Sequence, residues 1–281
     1  MTKNYFGSTP GGRRNHKRHV EGRGSGSGSQ YKPQFKTHDV PSRGRSSRMR
    51  LDGRVAHTLS DLEYRFLLEL RWDRDFSEIR EQVPLPLEET LAIAEAIGAR
   101  HPTIPGDGAP VVMTTDFVYV YTTAHRSILC ARAIKPSEDI DLLFANRNHL
   151  SKRWIETLER LEIERRYWQS RGADWRIVCE HDLDRTRAAN ITLFLNWEGP
   201  DPGRGPDYWN GAIEITLSTL RSGNDWQLCQ LGRRLDDEGK LSEADFMVCV
   251  RHLCATRMLQ FEMSVQFGPQ LRACDLTPTI H

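Results

Sequence analysis

Six cysteines stand in the sequence, Cys130, Cys179, Cys229, Cys249, Cys254 and Cys274, without a C-x-x-C pair and without histidines at zinc-ligand spacing. That excludes a zinc-ribbon or finger scaffold and reads as reduced, mostly buried thiols of a cytosolic protein. No run of about 18 consecutive apolar residues occurs, and no apolar stretch follows the N-terminal charges, so neither a membrane span nor export is indicated. No internal repeat is present, which excludes a solenoid. The net charge of +1 is close to zero, yet it hides a strong asymmetry. Residues 1–50 hold 12 Lys and Arg against Glu21 and Asp39, and the remainder is acidic by about nine charges.

The basic stretch contains "GRGSGSGS" (22–29) and few branched apolar residues. Such a composition predicts an arm that is flexible when free, because it buries too little surface to offset its ordering entropy. Its cations suit nucleic-acid phosphates, since each neutralised phosphate releases condensed counterions. A solubilising or localisation tail is the plainer alternative.

Order begins at Ser60. In "SDLEYRFLLELRW", Leu62, Phe66 and Leu70 fall at helical spacing behind a Ser60 N-cap. A second helix over 87–98 ends at Gly98, and "VVMTTDFVYVYTT" and "SILCARAIK" read as a β-hairpin over 111–135. A long amphipathic helix spans about 148–171, with Leu150, Trp154, Leu158, Leu161 and Trp168 as its stripe. "WRIVCE" (175–180) is a short strand. The Gly- and Pro-rich segment 196–211 marks a boundary or a long surface loop, a helix starts at the cap Ser242, and "QFEMSVQF" reads as a strand. Helices followed by a short strand pair are compatible with a winged-helix module.

Phosphodiester hydrolysis needs carboxylates that hold Mg²⁺ and a cation near the nucleophile or scissile group. Glu63, Asp116 and Lys135 fit that demand, each with a plainer reading beside it. Glu63 closes a capping box with Ser60 or faces the core with Phe66, Leu67 and Leu70. Asp116 interrupts a strand that suits its neighbours better, or lies on an edge strand. Lys135 precedes Pro136 and ends its strand, where lysines are usually solvated. Glu164 shares the angular sector of Leu161 and Trp168, so it faces the hairpin or pairs with a neighbouring arginine.

The order of "YKP", "DVPSRGRSSR", "SDLE", "IREQ.PL", "HP.I", "TTDF", "IKP" and "LERLEIERRYWQSRG.DW" over about residues 20–180 resembles the TnsA family, endonuclease subunits of heteromeric cut-and-paste transposases. The resemblance implies an α/β (α+β) architecture. A restriction-endonuclease-like mixed-sheet catalytic domain would cover 51–180, and a small winged-helix-like C-terminal domain 181–281, behind the basic arm of 1–50. It implies Mg²⁺, with Mn²⁺ as a substitute, held by Glu63, Asp116 and the main-chain carbonyl of Ile134, and Lys135 as the catalytic cation. It implies hydrolysis of the non-transferred strand at the 5′ transposon ends, with double-stranded DNA, the TnsB transposase and the TnsC ATPase as partners in the bacterial cytoplasm. The sequence departs from the family pattern at Ala133, where Gln or Glu is usual, and Glu164 or water would fill that gap. Two alternatives stay open: a degenerate DNA-bound subunit bridging TnsB and TnsC, and a free-standing restriction or resolvase-type nuclease.

Overall fold

The computed structural model describes residues 7–39, 46–140, 151–223 and 225–279. The middle of "DVPSRGRSSR" and Leu150 lie outside the described residues. Two compact units divide between Leu183 and Asp184.

The first unit is built on a four-stranded mixed sheet. Strand β3 (Phe76–Pro84), β4 (Thr114–Thr122), β5 (Ser127–Ile134) and β6 (Asp174–Val178) lie side by side in that order; the first three are antiparallel and β6 runs parallel to β5. The parallel pair needs a crossover, and the chain between β5 and β6 includes the long helix α4 (Lys152–Gln169). Helix α2 (Asp61–Trp72) covers one face, where Phe66 meets Phe117 at 5.4 Å and Tyr119 at 6.1 Å between ring centroids. On the other face Val118 and Ala131 are fully buried with Ile163, Tyr167 and Trp168 of α4, and with Ala94 of α3 (Leu87–Ala96). The expected stripe of α4 is buried only in its second half, since Leu161 and Trp168 are buried while Leu158 is 39% exposed. Mixed α/β construction around a mixed sheet fits a nuclease-like domain.

A hairpin the pattern reading passed over, β1 (Ser47–Leu51) and β2 (Arg54–Thr58), turns at Asp52–Gly53 with φ of 49° and 78°. An Asp-Gly pair with both residues at positive φ is the favoured two-residue hairpin turn.

The described part of the basic arm is not a free chain. Helix α1 (Pro10–Val20) starts at the Thr9 cap, and the segment after it is fastened to β3. Tyr31, 4% exposed, donates its hydroxyl to Glu81 O at 2.9 Å, and Gln34 N donates to Gln82 O at 3.1 Å. Gly24 explains why glycine richness was misleading. At φ 83° it lies so near Pro84 that a Cβ would come within 2.1 Å of that ring, so glycine here serves close approach rather than mobility.

The second unit holds α5 (Arg185–Leu195), α6 (Pro206–Ser222), α7 (Leu228–Asp237) and α8 (Glu243–Ala255) around Ile191, Leu228, Leu231, Phe246 and Leu253. Helix α6 begins inside the expected 196–211 loop, with Pro206 at a first-turn position that tolerates its missing N–H. The expected strand over "QFEMSVQF" is reduced to a two-residue ladder between β7 (Leu259–Gln260) and β8 (Thr277–Pro278). The buried Asn190 side chain takes the backbone instead: it donates to Met263 O at 2.9 Å and Val265 O at 2.8 Å, and accepts from Phe267 N at 2.9 Å. Among the described residues no helix is long and apolar enough to cross a membrane.

Candidate active site

Glu63 enters the site from the first turn of α2. Ser60 caps the helix by accepting from Glu63 N at 3.1 Å, and the Glu63 carboxylate accepts from the Ser60 hydroxyl at 3.1 Å and from Leu59 N at 2.9 Å. Capping and core-facing readings therefore coexist in one side chain, which is 8% exposed. A further donor comes from the sheet: Gln82 Nε2 reaches Glu63 Oε2 at 3.2 Å.

Asp116 lies on β4, a central strand between β3 and β5, so the edge-strand reading is excluded. One carboxylate oxygen, Oδ2, accepts from Ile134 N at 2.7 Å and from Lys135 Nζ at 3.1 Å. Lys135 Nζ also donates to Ile134 O at 2.9 Å. The lysine is thus tethered across the strand end, with its side chain 31% exposed, rather than extended into solvent. Ala133 is fully buried beside Ile177 of β6 and offers no oxygen.

Glu164 projects from the buried side of α4. Its Oε1 accepts from Thr115 Oγ1 at 2.8 Å and from Trp175 Nε1 at 3.2 Å, and Trp168 Nε1 donates to the same Thr115 hydroxyl at 2.7 Å. The alternative of a local arginine pair falls instead to Glu162, which bonds Arg165 and Arg166 at 2.7 Å.

These groups act on one another electrically. Burial, and then the charge of Asp116, push the Glu63 carboxyl up to about 7. The same two causes in the same order push Glu164 up to about 7. Burial pulls Lys135 down, but Asp116, Glu164 and Glu63 outweigh it and leave the ammonium above its ordinary value. Packing several carboxylates around one partly dry corner favours either protons or a cation there. Among the described residues no three or more His, Cys, Asp or Glu side chains are gathered as a ready metal cluster.

Sequence reasoning missed Gln82, Thr115 and Trp175. Gln82 had a signal in the "IREQ.PL" motif, but not its role. In the structure it is 3% exposed and sits at φ 49°, a left-handed conformation costly for a residue with a side chain. That backbone turn is what accompanies its amide's bond to Glu63.

Residues 73–180 match the family described as TnsA-like endonuclease N terminal. This stretch is similar to a TnsA-like endonuclease domain. It carries Asp116, Ile134, Lys135 and Glu164, while Glu63 precedes it. The chain is 38% identical over 173 residues to the Escherichia coli protein "Transposon Tn7 transposition protein TnsA", a stretch that covers 61% of this chain and 58% of that protein. The chain therefore spans little more than half the length of the curated relative it matches. The matched stretch includes β4, β5, α4 and β6, and so the elements that carry the Asp116–Lys135 ion pair and the Thr115–Glu164 hydrogen bond.

Proposed function

We propose that the chain is a Mg²⁺-dependent DNA endonuclease subunit of a heteromeric transposase, which hydrolyses the non-transferred strand at the 5′ transposon ends. The observation that carries this reading is Asp116, fixed by Ile134 N and Lys135 within a TnsA-like domain and electrically coupled to Glu63 and Glu164. The donor set fits the ion. Mg²⁺ takes hard oxygens, needs one or two carboxylates and keeps several waters. Asp116 spends a single oxygen on its two bonds, and Glu63 is a carboxylate whose charge is held back by burial first and by Asp116 second. Glu63, Asp116 and the Ile134 carbonyl would hold Mg²⁺, which when bound supplies charge neutralisation at the phosphate and an acidified water.

The chain's own groups do the rest. Lys135 stays protonated through neutral pH, so it acts as a cation toward the phosphate oxygens and not as a base. Glu164, anchored by Thr115 and Trp175, brings a carboxylate to the corner that Ala133 leaves without one. In the second unit we read α6, α7 and α8 with the β7–β8 ladder as a reduced winged-helix-like module and as the docking surface for TnsC, with TnsB completing the complex at the transposon ends.

Replacing Asp116 by Ala tests this. With TnsB, TnsC and Mg²⁺ present, 5′-strand cleavage should fall by roughly three orders of magnitude, the scale of several kcal/mol of lost charge stabilisation. The oxygen-free Ala133 favours the rival reading of a degenerate bridging subunit, under which the same substitution changes nothing. Wild-type protein that leaves the 5′ strand uncut in that mixture would also sink the proposal.

A further inference from the structure

Helix α1 reads PGGRRNHKRHV and contains no acidic residue. Its Gly11, Gly12 and Asn15 are buried. Gly11 N donates to the Asp107 carboxylate, Asn15 Nδ2 donates to Pro110 O at 3.3 Å, and a Cβ on Gly11 would lie 2.4 Å from Ile104 Cδ1. The helix is therefore pressed onto the loop 104–110 by a face made of two glycines and the short Asn15 side chain. An isolated helix of this length with two glycines would not persist in water, so the docking is what makes it a helix, and it also fixes which way the remaining faces look.

Those faces are cationic. Arg13, Arg14 and Lys17 are exposed. The Lys17 side chain is 78% exposed, with Glu21 no closer than 3.9 Å, a surface pair of little energetic weight. Arg18 is held beside them over the Phe35 ring, 4.7 Å from its centroid. A mere solubilising tail gains nothing from a rigid, glycine-seated mount. The loop that carries the mount runs through Met113 directly into Thr115 and Asp116. The chain outside residues 1–50 has an excess of acidic residues, and a polyanion approaching buried carboxylates needs a local positive surface to hold it.

We propose that α1 is a phosphate-gripping helix, with Arg13, Arg14 and Lys17 binding the backbone of duplex DNA alongside the cleaved phosphate, without regard to base sequence. The inference rests on the nuclease reading for its substrate, but binding is measured separately from cleavage. The test is fluorescence anisotropy of a labelled duplex titrated with the full chain across a series of salt concentrations. Each phosphate contact contributes roughly 0.9 to the slope of log affinity against log salt, so R13A/R14A/K17A should flatten the slope by roughly 2 to 3, while the reciprocal swap R13K/R14K/K17R keeps it. Should the triple variant melt early, the single variants at these exposed positions each lower the slope by roughly 1. Asp116→Ala serves the cleavage arm alone. If Asp116→Ala still cuts DNA, the nuclease reading fails and the binding result stands. An unchanged slope in the triple and single variants, or no duplex binding by wild type at low salt, overturns the role of α1, including the case in which the helix instead serves an acidic protein partner.

Discussion

At residue 133 a methyl group stands at a corner otherwise lined by charge, and the surroundings show how the corner is held together without it. Glu164 accepts from Thr115 and Trp175, and its carboxyl is raised to about 7 from 4.5 by burial and then by Asp116. A carboxyl raised on folding stabilises the folded state below its unfolded value, and that contribution is lost as pH rises through the folded value. In metal-free protein the window is therefore about pH 4.5 to about 7. Urea unfolding of wild type and of Glu164→Gln at about pH 5 and about pH 8 should differ: the wild type loses on the order of 1 to 3 kcal/mol more across that interval than the variant. Parallel losses in the two proteins would show that Glu164 does not titrate in this way.

Among the elements, β3 links the N-terminal layers to the site. Glu81 is fully buried on it and is clasped by Arg54 of β2 through two bonds of 2.7 Å, with the Arg54 guanidinium also donating to Ile79 O at 2.9 Å. His57 N donates to Glu81 Oε1 at 3.1 Å, and the Arg54 guanidinium stacks on the Tyr31 ring at 5.1 Å. Removing one partner strands a buried charge, which costs roughly 3 to 5 kcal/mol. Arg54→Leu should therefore lower the denaturation midpoint sharply, and the double substitution R54L/E81L should recover much of the loss. Equal instability of single and double variants would mean that the pair is not acting as a unit. Because Gln82 follows Glu81 and bonds Glu63, the same strand defect is expected to reach the site.

On the scale of the whole chain, the charge asymmetry read from composition becomes an architecture in which the described part of the basic segment, 7–39, packs on the first unit. Tyr31, Gln34 and Gly24 are fastened to Glu81, Gln82 and Pro84. Deleting residues 1–39 should consequently lower the melting temperature by roughly 5 °C or more, or abolish soluble expression, as followed by circular dichroism. A shortened protein that melts like the full chain would restore the picture of a free arm.

Local chemistry alone determined the Ser60-capped helix, the hairpin expected over 111–135, the long helix and the identity of Glu63, Asp116, Lys135 and Glu164 as candidates, because caps, β-branched runs and helical spacing act within a few residues. The family order of the motifs chose among their readings. Only the tertiary structure decided that Lys135 bends back to Asp116, that Glu164 is tethered by Trp175, that Gln82 supports Glu63, and that the glycine-rich segment is packed. Each of these depends on partners 11 to 60 residues apart in sequence. The reason is physical. Glycine is as suited to close approach as to flexibility, a strand-end lysine as suited to a carboxylate as to water, and the choice between them is made by a neighbouring strand that sequence spacing cannot bring alongside.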